Sequence, residues 1–237
     1  MRLIGVVTLV FCLSTWLPAQ PPEHVLVYVD NSVPGPGTGT SQDPFSSIAA
    51  AIAYVIPHDY ILLRPGTYYE RIDLPYFVFL RSEQGPEVTT IDATGLGGTH
   101  AVTLATLGEV SGLTITKRDG GGIYSSTSAP EYGRIIKGNR IIDCPNGGID
   151  LDGPMHPAIA ENLIVNCGPF GVRMQNGVAP YFTGATITAC AVGLDFDPSI
   201  PLDPAAFVAN SVFWGNGTDV VGLAPSDLIN CDLGDPA

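Results

Sequence analysis

Hydrophobic and polar positions alternate in short runs along most of this chain, and the runs recur. Three units stand out: GNRIIDCPNGGID from Gly138, ENLIVNCGPFGVR from Glu161 and GATITACAVGLD from Gly184. Cys144, Cys167 and Cys190 lie 23 residues apart in both steps. A glycine–aliphatic pair follows each: Gly148-Ile149, Gly171-Val172 and Gly193-Leu194. A unit of this length, with two β-rich runs, cannot bury its own apolar face. The period therefore predicts stacked rungs of a solenoid. An earlier rung turns at Gly122-Ile123. A degraded one follows over 210–220, with Trp214 expected near the cysteine position. The rungs are clearest over 110–220.

Upstream, residues 25–30 alternate as a first strand. Asp43 offers an N-cap and Pro44 a first-turn residue for a helix, 44–55. Its apolar residues Phe45, Ile48, Ala49, Ile52 and Val55 fall at helical spacing. Such a helix suits the open end of a solenoid, where the core must be covered. Short strands follow, split by turns, and Glu70 reads as an ordinary exposed strand residue. Asn139, Asn162 and Asn210 recur before an aliphatic pair and predict a stacked amide ladder. Insertions fall at 127–132, 154–157 and 198–204, and solenoid insertions often gather on a binding face. Residues 221–237 read as a terminal extension.

Alternation also predicts what faces outward. Ile149 and Leu151, Val172 and Met174, Leu194 and Phe196 must point inward, so the residues between them point out. Stacking gives one outer column of Tyr124, Asp150, Arg173 and Asp195. A second holds Ser126, Asp152, Gln175 and Asp197. Rungs about 4.8 Å apart, and positions about 7 Å apart along a strand, put four carboxylates around one arginine. Asp150, Asp152 and Asp195 are candidate ligands for Ca²⁺, which takes oxygen donors in flexible geometry. Carboxylates so spaced also suit acid and base roles on a glycosidic bond. Tyr124, Asp152, Gln175, Asp195 and Asp197 are candidate substrate contacts, and His156 is a candidate acid–base residue. The same alternation of Asp and Arg also serves solubility and cross-strand pairing. A second cluster holds His100, Lys117, Arg118 and Asp119, read as a solvated turn.

Charge narrows the partners. The 237 residues carry a formal net charge of −13, which disfavours nucleic acid and anionic lipid. Residues 1–19 have a charged start at Arg2, an apolar run and a small residue at Ala19, as in a secretory signal peptide. Export to the periplasm, cell surface or medium follows, with residues 20–237 as one domain and no membrane insertion after signal removal. Export permits disulfides, yet cysteines at one repeat position point the same way, so buried free thiols are expected.

Asp43-Pro44-Phe45-Ser46-Ser47-Ile48, Tyr60-Ile61-Leu62-Leu63 and Arg64-Pro65-Gly66-Thr67-Tyr68 with Glu70, followed by the later rungs, resemble secreted right-handed parallel β-helix proteins of the pectin-lyase-like superfamily. The resemblance covers about residues 25–220. It implies an all-β, single right-handed parallel β-helix with an N-terminal capping helix. It also implies a partner of polysaccharide or cell-surface glycan, including uronate-containing polymers. Members include polysaccharide lyases and glycoside hydrolases. In the lyases a basic residue removes a proton beside a Ca²⁺-held uronate, a role that falls by resemblance to Arg173, beside Asp150. The superfamily's catalytic segments are incomplete here: Asn146-Gly147-Gly148-Ile149-Asp150 has glycine where a polygalacturonase would carry its first aspartate. A non-catalytic structural or adhesive surface module is the alternative.

Overall fold

The computed structural model describes residues 25–197 and 206–234. The proposed signal segment and the whole of the 198–204 insertion lie outside them. The described chain winds into a right-handed parallel β-helix of three sheets, and every strand pairs in parallel with the strand one turn away. Sheet A has nine strands, from Leu26–Val29 to Leu228–Ile229. Sheet B has eight, from Gly66–Tyr68 to Asp232–Leu233. Sheet C has seven, from Ile72–Leu74 to Thr218–Val221. Residues after 220, expected as an extension, therefore continue the winding.

Inward columns make the core. Ile61, Leu80, Val110, Ile136, Ile159, Phe182 and Val208 stack on sheet A, each fully buried. Ile123, Ile149, Val172 and Leu194 stack on sheet C in the register that alternation predicts. The repeated corner glycines have a steric cause. A Cβ on Gly122, Gly148 or Gly171 would strike the backbone carbonyl of the next rung's corner glycine. Cys144, Cys167 and Cys190 are free and buried, as expected of thiols packed like small hydrophobes. Burial pushes the Cys190 thiol up to about 11.

Several expectations need correction. The helix runs Ile48–Tyr54 and its N-cap is Ser47, not Asp43: the Ser47 hydroxyl accepts from Ala50 N at 3.2 Å. Phe45 instead bridges Val29. Glu70 is no ordinary strand residue. Its two carboxylate oxygens accept from Ile48 N and Ala49 N, each at 2.8 Å, and so complete the cap. Glu70→Ala is expected to lower stability by about 1 kcal/mol, read as a lower melting temperature in circular dichroism.

The amide ladder holds at Asn139 and Asn162 but not at Asn210. A left-handed residue precedes the ladder position on each rung: Gly138, Glu161, Gly184 and then Asn210 itself, at φ 50°. Ser211 therefore occupies the ladder position and accepts from Ala185 N. Register likewise pairs Trp214 with Thr188, and Asn216 follows the cysteines, accepting from Cys190 N. Lys117 is wholly buried rather than solvated, its Nζ donating to Ala93 O at 3.1 Å and Asp119 at 2.9 Å. The 154–157 insertion is largely a strand, Met155–Ala160, with Met155 in the core.

Candidate functional site

Sheet C carries the predicted outer columns. Tyr124, Asp150, Arg173 and Asp195 pair in register on four consecutive strands, and Ser126, Asp152 and Gln175 pair beside them on three of these. Asp197 continues the second column, its N donating to Met174 O. Asp150 is not exposed as expected: the residue is only 8 % accessible. The cause is Arg173. Its Nε donates to Asp150 Oδ1 at 3.0 Å and its Nη2 to Oδ2 at 2.7 Å, a fork that covers the carboxylate. The Arg173 guanidinium also lies 4.2 Å from the Phe170 ring centre.

Two residues outside the predicted stripe complete it. His100, assigned by sequence to a separate basic cluster, stacks on Tyr124 at 4.9 Å and 15°. Phe170 supports Arg173 from three residues earlier on the same strand. Both rings sit over glycines: a Cβ on Gly121 would strike the His100 ring, and one on Gly147 the Phe170 ring. The glycine run Gly120-Gly121-Gly122 was thus the available signal. It marks a seat for a ring as well as a corner.

Electrostatics limits the chemistry. The Asp150 hydrogen bonds, ahead of the opposing cost of burial, raise the Arg173 pKa above its ordinary value. The pairing thus favours the charged guanidinium, the form that donates hydrogen bonds and neutralises an anion. Burial lowers the His100 pKa below the ordinary 6.5; Asp150 opposes the shift, while Arg173 and Lys117 reinforce it. The neutral ring is thus favoured in the fold. Stability tied to His100 is full above about pH 6.5 and falls as pH drops through the folded value. An NMR pH titration should show the His100 ring titrating below 6.5; a midpoint at or above that value would contradict its burial.

The cation and acid–base assignments gather less well. Asp150 is committed to Arg173, and Asp152 Oδ1 accepts from Asn176 Nδ2 at 2.6 Å. Among the described residues, no group of three or more His, Cys, Asp and Glu side chains is set to hold a metal ion. His156 lies on sheet A, stacked on Tyr132 at 4.3 Å, so the structure does not bring it to the stripe. Three grooves, of 440, 360 and 360 Å³, are lined by other residues.

A family model matches residues 33–196, and its description is a protein of unknown function, DUF1565. The chain belongs to this family. The chain itself has the right-handed parallel β-helix that the sequence resemblance implied. Among solved structures, similarity extends to pectin methylesterase PemA from Erwinia chrysanthemi, at 14% identity, covering 92% of this chain and 91% of that chain, TM-score 0.46. It extends also to pectate lyase Pel9A, at 14% identity over 90% and 78%, TM-score 0.43. A third is the pectin methylesterase from Aspergillus niger in deglycosylated form, at 13% identity over 89% and 85%, TM-score 0.43. A comparison with curated proteins gave no match. Among the described residues of this DUF1565 protein, no helix is long and apolar enough to cross a membrane.

Proposed function

We propose that this DUF1565 protein is exported and binds extracellular polysaccharide along the outer face of sheet C, without cleaving it. The observation that carries the reading is the in-register outer column Tyr124–Asp150–Arg173–Asp195, continuous over four rungs. Successive rungs are about 4.8 Å apart, close to the length of one sugar unit, so a chain laid along the axis meets one rung per residue. Tyr124 offers a ring edge and hydroxyl. Arg173 offers guanidinium N–H groups, held rigid by Asp150 and Phe170. Asp152, Gln175, Asp195 and Asp197 offer further hydrogen-bonding groups. Such pre-ordered polar groups lower the cost of binding a polar ligand.

Catalysis is disfavoured by the same geometry. Arg173 and Asp150 are paired with one another, and His156 lies on another sheet. The column is acidic on balance, which favours a neutral polymer over a uronate polymer unless a cation intervenes. The test is affinity gel electrophoresis through immobilised polysaccharides. Tyr124→Ala and Asp195→Ala, both at partly exposed positions, should migrate faster than wild type through the retaining glycan while melting at the same temperature. Equal retention of wild type and both variants would remove sheet C from the reading.

A further inference from the structure

The two ends of the solenoid differ. At one end the helix Ile48–Tyr54 lies against the first strands and buries Ile48 and Ala51 completely. At the other, Thr218–Val221, Leu228–Ile229 and Asp232–Leu233 are each the last described strand of their sheet. Register puts Val220, Leu228 and Leu233 on the inner columns, next to Leu194, Val208 and Phe213 of the preceding turn. Those three are fully buried, whereas Leu233 is 41% exposed and Val220 and Leu228 are only partly covered. A groove of 440 Å³ opens there, lined by Asp219, Val220, Leu223, Leu228 and Leu233 among others. Its size is that of a ligand site, about 300–1,000 Å³. Beside it, the edge of each last strand presents backbone N–H and C=O groups to a further strand.

Charge selects what fits this end. Residues 206–234 carry Asp219, Asp227 and Asp232 and no Lys, Arg or His. None of the three carboxylates takes part in an ion pair among the described residues. Asp219 accepts from Asn216 Nδ2 at 2.9 Å and Asp227 from Ala224 N at 2.8 Å, neutral donors that leave both charges uncompensated. An apolar groove with a negative rim complements a chain that carries aliphatic and cationic side chains together. A second copy of the same end is a poor match, because two acidic rims would face each other. A segment added to the edge of Thr218–Val221 would alternate its side chains. One set would lie over Val220, Leu228 and Leu233, and the other would stand in line with Asp219.

We propose that this end of the β-helix binds an extended segment of a partner protein in which lysine or arginine alternates with aliphatic residues. The surface is distinct from the outer column Tyr124–Asp195, and its occupation does not depend on glycan binding there. Fluorescence anisotropy of the purified protein would use three short labelled peptides: lysine alternating with leucine, glutamate alternating with leucine, and lysine alternating with serine. The first should bind, more tightly than either of the others, and added salt should weaken it. Leu233→Lys sets a cation in the groove at an already exposed position and should weaken binding about tenfold. Asp227→Asn combined with Asp232→Asn keeps an oxygen acceptor at each position and should weaken it about fivefold. The same charge change far from the groove, Asp43→Asn with Glu83→Gln at exposed positions, should weaken it by less than about twofold. Melting temperatures check that each variant folds, and sedimentation velocity reads the oligomeric state. The proposal is overturned if the lysine–leucine peptide does not bind, if either other peptide binds as tightly, if Leu233→Lys binds as wild type, or if the distant pair weakens binding as much as the Asp227 and Asp232 pair. A wild-type dimer dispersed by Leu233→Lys would also overturn it, by making this end a contact between copies.

Discussion

Replacing Asn162 with Ala is expected to destabilise the protein by about 3–5 kcal/mol, because it removes four hydrogen bonds at once and leaves its side-chain space empty. Asn162 Oδ1 accepts from Asn139 N at 3.0 Å and Asn139 Nδ2 at 3.1 Å. Its Nδ2 donates to Ile136 O at 2.8 Å and Ala160 O at 3.0 Å. Asn139 passes the chain on, donating to Val110 O and accepting from Leu113 N. The amides therefore tie three rungs at the turn between sheets A and B, where the backbone leaves its ladders. Alanine would fill the space badly and satisfy none of these groups. Asn210→Ala is the control. Asn210 is exposed and off the ladder, so the cost should come mainly from its left-handed backbone, about 1 kcal/mol. Urea titration followed by circular dichroism compares the two. Equal costs at Asn162 and Asn210 would contradict the assignment of the ladder.

Arg134→Ala should be the other severe change, at about 3–5 kcal/mol. Arg134 is only 1% exposed, in a chain with few buried cations. The register of sheet A shifts between Tyr132 and Ile135, and this bulge turns Arg134 inward at the corner. There Nε donates to Ser125 Oγ at 2.7 Å, and Nη2 reaches Glu131 at 2.9 Å, Thr106 at 3.1 Å and Ser126 O at 3.3 Å. Hydrogen bonds from Thr106 first, then from Arg134, hold the Glu131 carboxyl below its ordinary 4.5. That contribution is present above the ordinary value and is lost as pH falls through the folded one. Arg134→Ala removes the donors and leaves a cavity, whereas Arg134→Met fills the space and isolates the hydrogen-bond loss. Melting temperature should fall on the order of 10 °C for alanine, and less for methionine. No change for either would mean that the corner network adds nothing.

The winding itself was legible in the sequence, and the reason is locality. Strand alternation and the 23-residue spacing of Cys144, Cys167 and Cys190 report inward positions directly. The outer stripe followed from the same alternation and lies in the predicted register. What was not legible depends on partners a full turn away. Asp150 looks exposed until Arg173, on the next rung, folds over it. Lys117 looks like a surface charge until Ala93 O, from the previous rung, accepts its ammonium. Glu70 looks idle until the helix N-terminus arrives from residues 48 and 49. The ladder was misplaced by one residue at Asn210, because a left-handed residue and an amide both favour asparagine. His100 and Phe170 were missed at the site because glycines on their neighbours, Gly121 and Gly147, admit them; a missing side chain carries little signal.

Binding without cleavage is tested most directly by one measurement. Purified protein is incubated with a panel of polysaccharides, with and without Ca²⁺. Retention is read by affinity electrophoresis, and product formation by chain length and ultraviolet absorbance of unsaturated ends. The expected result is retention by at least one polysaccharide whose chain length and absorbance stay unchanged. Shortened chains or unsaturated products abolished by Arg173→Ala would contradict a purely binding face, and absence of retention by every polysaccharide would contradict the binding itself.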